Sequence, residues 1–491
     1  MRVVMTGTGY VGLVSGACFA AMGHDVCCVD TDPVKLELLG QGHVPFFEPG
    51  LEELVARMNA TGRLSFSGNL RQAVANAEVI FISVGTPPRA SDGHADLSAV
   101  YNAARAIGQS AVPGTVVATK STVPLGTGDE IERILQEEND AEIPVVSNPE
   151  FLREGSAIAD FRKPDRIVIG TADDRAQRIM SSLYLPLAKL GTPIIHTTRR
   201  AAELIKYASN AFLAVKITFI NEIADLCEAA GTDVGEVALA VGLDARIGSR
   251  FLEPGPGFGG SCFPKDTMAL TKTAQDFGRP LRLIETTVAI NDQRKRGMSR
   301  RIIAACGGTV RGRTIAILGL TFKPDTDDMR GAPSLDVIRA LQEQGAHIRA
   351  YDPAGMVAAM PLLEHVEFAA SAYSAAEGTD AIVIVTHWNE FRRLDLERLR
   401  QLVHKPVIVD LRNFLNPQEV TAHGFHWHGV GRSSVFPTAS IAEIASNSGI
   451  AARSDSRRES PSFALPIGPS PRKPAQGANH SETARPAKLA R

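Results

Sequence analysis

The chain has 491 residues, enough by length for roughly three domains of ~150 residues each. Hydrophobic residues make up 44% and charged residues 22%, and the formal net charge is -2, which excludes a basic nucleic-acid-binding protein and an acidic solvating one. The six cysteines, Cys18, Cys27, Cys28, Cys227, Cys262 and Cys306, contain no CxxC pair, so a reducing compartment is expected and a metal is not.

Arg2 to Thr6 is a short apolar run that predicts a buried strand. Gly7, Gly9 and Gly12 follow at once, and the small-residue stretch from Val11 to Met22 has helical length. Asp25 to Asp30 predicts a second strand that closes on an acid. Strand, glycine turn, helix, strand and acid within about 30 residues is the full context of a dinucleotide-binding fingerprint. Gly7 permits the tight turn, Gly9 lets the backbone approach a pyrophosphate, and Gly12 lets helix and strand pack closely. The pyrophosphate would rest on the amides of the helix N-terminus. Asp30 suits the ribose hydroxyls and repels a 2′-phosphate, so NAD is expected rather than NADP, with Lys35 close by as the counter-argument.

The same glycine spacing, with Asp25 and Asp30 following and no cleavage site, argues against a signal peptide. No run of about 18 apolar residues predicts a membrane span, and a cytoplasmic protein is expected. Glu78 to Val84, Thr115 to Thr119, Val145-Val146 and Arg166 to Ile169 are further strand candidates. Their alternation with helical stretches predicts a doubly wound parallel sheet.

From Arg199 to about Ala230 the chain runs without Gly or Pro. The pattern predicts one helix of ~45 Å, suited to joining two domains and to packing against its own copy in a homodimer; a plain core helix is the alternative. A second α/β unit begins at Arg313, with strands at Thr314 to Leu320, Ile348 to Pro353, Ala381 to Thr386 and Val407 to Asp410. It keeps only Gly319 of the glycine signature, which makes it a poor second pyrophosphate site. Beyond Ile444 the composition turns to Ser, Pro, Arg, Ala and Asn, and residues 450–491 are expected to be disordered, either as a passive extension or as a partner-binding segment.

Between these units lies Gly257-Phe258-Gly259-Gly260-Ser261-Cys262-Phe263-Pro264-Lys265-Asp266. A glycine-framed thiol reads either as a nucleophile close to a ligand or as a packed structural cysteine. In the first case the glycines allow close backbone approach and Lys265 raises the thiolate fraction. With a hydride acceptor in the N-terminal unit, the thiol has a specific use. It can hold an aldehyde as a thiohemiacetal between two oxidations, the second of which leaves a thioester for hydrolysis.

Six segments, Gly7–Gly16, Ser121–Gly128, Asn148–Phe161, Glu203–Glu222, Gly257–Asp266 and Gly319–Arg330, resemble in content and order those of the UDP-glucose/GDP-mannose dehydrogenase family. The resemblance covers residues 1 to about 440. It implies an α/β protein of two Rossmann-like doubly wound parallel-sheet domains joined by a central helical domain with a long helix. The implied division is 1–198, 199–298 and 299–445, followed by a tail at 446–491. The implied activity is twofold NAD-dependent oxidation of UDP-glucose at C6 to UDP-glucuronate. GDP-mannose or another nucleotide sugar is the alternative substrate, and a non-catalytic nucleotide-sugar or NAD sensor is the alternative class.

By the same resemblance Cys262 is the nucleophile, and Lys206 and Asp266 flank the reacting carbon, with Asn210 one turn beyond Lys206. Thr122, Glu150 and Glu154 lie near the nicotinamide and a catalytic water. Cofactor contacts are expected from Gly7, Gly9, Tyr10, Val11, Gly12, Asp30, Lys35, Thr86, Thr122, Glu154, Lys265 and Arg330. Substrate contacts are expected from Glu150, Phe151, Leu152, Arg153, Lys206, Asn210, Gly259 and Lys323, and from the loop Phe251, Leu252, Glu253, Pro254 and Gly255. This chain departs from the family's pattern at Glu253, where a non-acidic residue is expected. Arg246 is expected to reach a neighbouring subunit's ligand.

Overall fold

The computed structural model describes residues 1–437, so the expectations for the tail at 446–491 lie outside the described residues. Strand β1 (Arg2–Thr6) buries four of its five residues, as a strand covered on both faces must. Its Val3 and Met5 enter one core cluster and Val4 the other, so alternate side chains feed two layers of helices. Around it lie β2 (Asp25–Val29), β3 (Leu64–Ser67), β4 (Val79–Ile82), β5 (Val116–Thr119), β6 (Val145–Ser147), β7 (Ile167–Gly170) and β8 (Ile194–Thr197), in the order β3-β2-β1-β4-β5-β6-β7-β8. Pairing is parallel, as expected, except between β6 and β7, where one antiparallel junction interrupts it. The order reverses between β1 and β4, which opens a crevice above the first helix, Tyr10–Ala21.

The second sheet comprises β9 (Thr314–Leu318), β10 (His347–Tyr351), β11 (Val366–Phe368), β12 (Ala381–Ile384), β13 (Val407–Asp410) and β14 (His426–His428). It is parallel throughout, in the order β11-β10-β9-β12-β13-β14. The strands not anticipated from sequence, β3, β8, β11 and β14, are the four sheet edges.

Between the sheets the helix Arg199–Ala230 runs unbroken for 32 residues. Thr198 caps its first turn by accepting from the Ala201 amide, and Gly231 ends it in the left-handed conformation. Its Ile220, Ala224 and Cys227 join the core beneath the second sheet, whereas Tyr207 and Ala211 pack with Ala269 and Leu270 of the helix Phe263–Asp276. The helix Arg282–Ala305 passes without a break through the boundary expected at 298, and Met298 and Ile302 belong to the second core. Continuous helix, not linker, therefore joins the central segment to the second sheet.

Candidate functional site

The first helix begins directly after the glycine turn, with Gly9 at its N-cap and no side-chain cap. Gly7 has φ +96°, a conformation that favours glycine. A Cβ on Gly12 would lie 2.0 Å from the Gly7 carbonyl oxygen, whereas one on Gly9 would meet nothing within 4 Å. The turn is thus closed at Gly12 and open at Gly9, as an approaching pyrophosphate requires. Asp30 Oδ2 accepts from the Thr8 amide at 2.8 Å and from Thr8 Oγ1 at 2.6 Å, which fixes the carboxylate at the end of β2. Burial alone would raise the Asp30 carboxyl, but these hydrogen bonds hold it below the usual range. Lys35 contributes a weaker pull of the same sign. These features fit a dinucleotide with free ribose hydroxyls.

A cavity of about 870 Å³ lies against the loops that follow β6 and precede the helix Phe263–Asp276. Glu150, Phe151, Leu152, Arg153, Glu154, Lys206, Asn210, Phe251, Gly259, Cys262 and Lys323 all line it. Lys163, Arg166, Lys216 and Arg250 line it too, cations that suit a diphosphate.

At one wall, Lys206 Nζ donates to Glu150 Oε1 at 2.9 Å, both side chains being almost wholly buried. One turn along the same helix, Asn210 Nδ2 donates to Asp266 Oδ2 at 2.6 Å, and Lys265 Nζ donates to the other oxygen, Oδ1, at 2.6 Å. Asp266 is fully buried behind Asn210 and Lys265. Cys262 occupies the N-cap of its helix, where no side chain satisfies the first-turn amides, and Ser261 Oγ lies 3.5 Å from its sulfur. Burial pushes the Cys262 thiol up, and Lys206 is the main opposing influence. Lys265, the expected activator, is spent on Asp266 and acts on the thiol more weakly than Lys206. Burial also pulls against the charge on Lys206, but Glu150, Cys262 and Asp266 together hold its proton more firmly than usual.

Packing alone already requires two of the glycines beside the thiol. A Cβ on Gly259 would lie 2.2 Å from the Gly331 carbonyl oxygen, and one on Gly260 would strike the Phe322 ring at 2.7 Å. The Gly260 amide also donates to the Arg330 carbonyl at 2.8 Å. The thiol loop is thereby pressed against the loop that follows β9.

Glu154 stands where three segments meet. Its Oε1 accepts from Ser261 Oγ at 2.7 Å and Arg330 Nη2 at 3.4 Å, and its Oε2 from Thr326 Oγ1 at 3.5 Å. Burial, then the negative charge of Asp328, pushes its carboxyl up to about 7. Arg330 is held by Asp328 at 2.8 Å. Thr86 Oγ1 donates to the Thr122 carbonyl at 2.8 Å, which joins the loops after β4 and β5 beside the glycine turn. Lys323 reaches the cavity with its ammonium 5.5 Å from the Phe322 ring centre, and burial pulls its proton affinity down.

Some expected contacts are not brought to the cavity. The Leu252 side chain belongs to the second core, Glu253 is exposed, and Pro254 and Gly255 are buried off the cavity wall. The Gly255 amide and carbonyl are taken by Asn221 and Arg294, so of that loop only Phe251 lines the cavity. The Arg153 guanidinium is tied to Asp160, which leaves its backbone and stem for the cavity. Arg246 points to solvent, clasped by Asp244.

Among the buried charged residues that the sequence did not single out, three bear on the site. Glu203 accepts from the Gly126 and Gly128 amides at 2.7 and 2.8 Å, locking the loop after β5 to the long helix. Glu48 accepts from the Gly155 and Ala157 amides and from the Tyr10 hydroxyl, tying the glycine turn to the loop of Glu150 and Glu154. Lys120 lines the cavity at the end of β5, and a lysine closing the apolar run Val116 to Thr119 was its one visible signal. Among the described residues no His, Cys, Asp and Glu cluster is arranged to hold a metal ion, and no helix is long and apolar enough to cross a membrane.

Residues 1–188 match the NAD binding domain of the UDP-glucose/GDP-mannose dehydrogenase family, 200–293 its central domain and 316–417 its UDP binding domain. The chain is 59% identical over 435 residues to the UDP-glucose 6-dehydrogenase of Rhizobium meliloti (strain 1021), spanning 88% of this chain and 100% of the relative. It is 44% identical over 460 residues to UDP-glucose 6-dehydrogenase TuaD of Bacillus subtilis (strain 168), spanning 91% and 99% of the two chains. Among solved structures, the UDP-glucose dehydrogenase of the hyperthermophilic archaeon Pyrobaculum islandicum superposes with a TM-score of 0.79 at 38% identity, covering 88% of this chain and 98% of that one. With an uncapped glycine turn, Cys262 and Lys206 lining one cavity in front of a buried Asp266, and family likeness along nearly its whole described length, the chain belongs to the UDP-glucose/GDP-mannose dehydrogenase family.

Proposed function

We propose that the protein oxidises C6 of UDP-glucose twice to give UDP-glucuronate, with Cys262 holding the carbon between the two steps. The observation that carries this reading is one cavity lined by a thiol, a carboxylate-paired lysine and several further cations, in a chain 59% identical to a UDP-glucose 6-dehydrogenase. NAD, held at the Gly7–Gly12 turn and at Asp30, supplies the hydride acceptor. Tyr10, Val11, Lys35, Thr86, Thr122, Lys265 and Arg330 complete its surroundings.

In the first oxidation C6 would lose a hydride to the bound cofactor, and its hydroxyl proton would move onto Lys206 as that ammonium hands one of its own, through a water, to the Asp266 carboxylate beside Asn210. The Cys262 thiol then adds to the aldehyde. Its proton passes to the new oxygen, whose developing charge the Lys206 ammonium stabilises in a site largely shielded from water. Loss of a second hydride and that proton leaves a thioester. Glu154, assisted by Glu150, orients and deprotonates the water that releases the carboxylate and restores the thiol. Phe151, Leu152, Arg153, Phe251, Gly259 and Lys323 hold the sugar nucleotide. Leu252, Glu253, Pro254 and Gly255 act only by shaping the backbone beneath Phe251.

We divide the chain at 1–198, 199–298 and 299–445 by role, for cofactor, catalysis and nucleotide-sugar binding. A homodimer is supported by Phe212, Phe219 and Leu226, which recur every seven residues along the long helix and are 63, 48 and 62% exposed. Arg246, free of the cavity in its own chain, would then serve the partner's ligand. A free thiol nucleophile supports a reducing, cytoplasmic setting.

Purified protein is expected to reduce two NAD per UDP-glucose, and Cys262→Ala to form no UDP-glucuronate. Turnover of GDP-mannose but not UDP-glucose would sink the substrate, and undiminished acid formation by the alanine variant would sink the thioester.

A further inference from the structure

Lys120 takes no part in the steps above, yet it lines the same cavity as Glu150, Lys206 and Cys262. It is only 4% exposed. Among the described residues its ammonium donates to Asn148 Oδ1 at 3.2 Å, the Asn148 carbonyl at 3.5 Å and Tyr184 Oη at 3.1 Å. That clamp is itself fixed, because Tyr184 Oη donates to Asn148 Oδ1 at 2.6 Å and Asn148 Nδ2 to the Val168 carbonyl at 2.7 Å. All these partners are neutral, and a buried ammonium without its own carboxylate is costly to keep charged. The charges that act on it are Glu150, from the loop after β6, and Lys206, from the long helix. Glu150 is already bound to Lys206 at 2.9 Å, so two buried lysines draw on one carboxylate.

We propose that Lys120 is a positioning residue that shares Glu150 with Lys206 and thereby governs how readily Lys206 releases its proton during C6 oxidation. Glu150, with the Cys262 and Asp266 charges, holds the Lys206 proton more firmly than usual. A second cation beside the same carboxylate weakens that hold through like-charge repulsion. The effect lasts only while Lys120 is itself charged, and burial brings its proton affinity down to about 8. Lys206 thus has a charge partner that switches off in mildly alkaline solution.

The role assigned to Lys206 rests on the function proposed above, but the test needs no substrate and succeeds or fails independently of it. Full-length protein is pulsed with trace acetic anhydride between pH 6 and 10, and acetylation of Lys206 is read by peptide mass spectrometry against an exposed lysine. Wild type should show a break: Lys206 labelling climbs less steeply than the exposed lysine as pH passes through about 8. Lys120→Met should remove the break, label roughly fivefold more slowly at pH 7, and converge on wild type above about pH 9. Lys120→Arg, charged throughout, should match wild type at pH 7 and show no break. A wild-type profile parallel to the exposed lysine overturns the proposal even if the methionine variant does not fold. So does a Lys120→Met difference that persists unchanged at every pH, which is the signature of altered packing alone.

Discussion

Replacing Glu154 by glutamine should make the protein more stable in alkaline solution and a poorer catalyst. The carboxyl is pushed from its ordinary 4.5 up to about 7 by burial and by Asp328. Between those two pH values the folded chain binds more protons at this site than the unfolded chain, so stability falls as pH rises through the window, and the loss is complete above about 7. At about 1.36 kcal/mol per unit the ionised side chain costs on the order of 3 kcal/mol at pH 8 and almost nothing near pH 4.5. Glutamine cannot ionise and still accepts from Ser261, so Glu154→Gln should gain up to about 3 kcal/mol over wild type at pH 8 and nothing near pH 4.5. Urea unfolding at the two pH values measures the difference. Hydrolysis, by contrast, needs the carboxylate. Wild-type acid formation should climb with pH through about 7, while the glutamine variant accumulates the Cys262 thioester, visible by intact mass after acid quench. The reasoning is refuted if the variant's stability change is the same at both pH values, or if UDP-glucuronate formation is undiminished.

Gly12→Ala places a Cβ 2.0 Å from the Gly7 carbonyl oxygen and 2.7 Å from Ser83 Oγ, and a backbone oxygen cannot step aside. A loss of about 3 kcal/mol and of NAD binding is expected, read by thermal melts with and without NAD. Glu48→Ala strips the part-buried Gly155 amide and the buried Ala157 amide of their acceptor, which should lower stability by on the order of 3 kcal/mol and raise KM for both substrates as the Glu150–Glu154 loop loosens. Phe219→Glu puts a charge in the middle of the exposed stripe on the long helix. Under the proposed homodimer, sedimentation should report a dimer for wild type and a monomer for the variant, and equal masses for the two would refute that interface.

The parts legible in advance were those written in short stretches of chain. The strand–turn–helix–strand unit from Arg2 to Asp30 declares itself because periodicity, glycine placement and the closing acid all lie within one supersecondary motif. The long helix was equally plain, since 32 residues without Gly or Pro leave few other options. The four edge strands were invisible for the converse reason. One side of each meets no neighbouring strand, so Leu64–Ser67 and His426–His428 carry no continuous apolar run. Similarly, a strand's direction is not encoded in its own residues, and the antiparallel junction of β6 and β7 went unread.

The candidate site divides along the same line. Cys262, Lys206 and Asp266 could be named from motif and resemblance, but the pairing of Lys206 with Glu150 and of Asp266 with Asn210 in each case joins residues 56 apart in the chain. The same holds for Lys120, Glu48 and Glu203, whose partners are loop amides or neutral side chains brought close only by folding. The sequence by itself determined the cofactor turn, the glycine-framed thiol loop and the alternation of elements, because those depend on neighbours along the chain. Which lysine tunes the thiol, why the glycines around it are glycines, and how one carboxylate comes to serve two buried lysines were decided only by the tertiary structure. Burial and through-space charge, which set those properties, do not exist until distant segments pack.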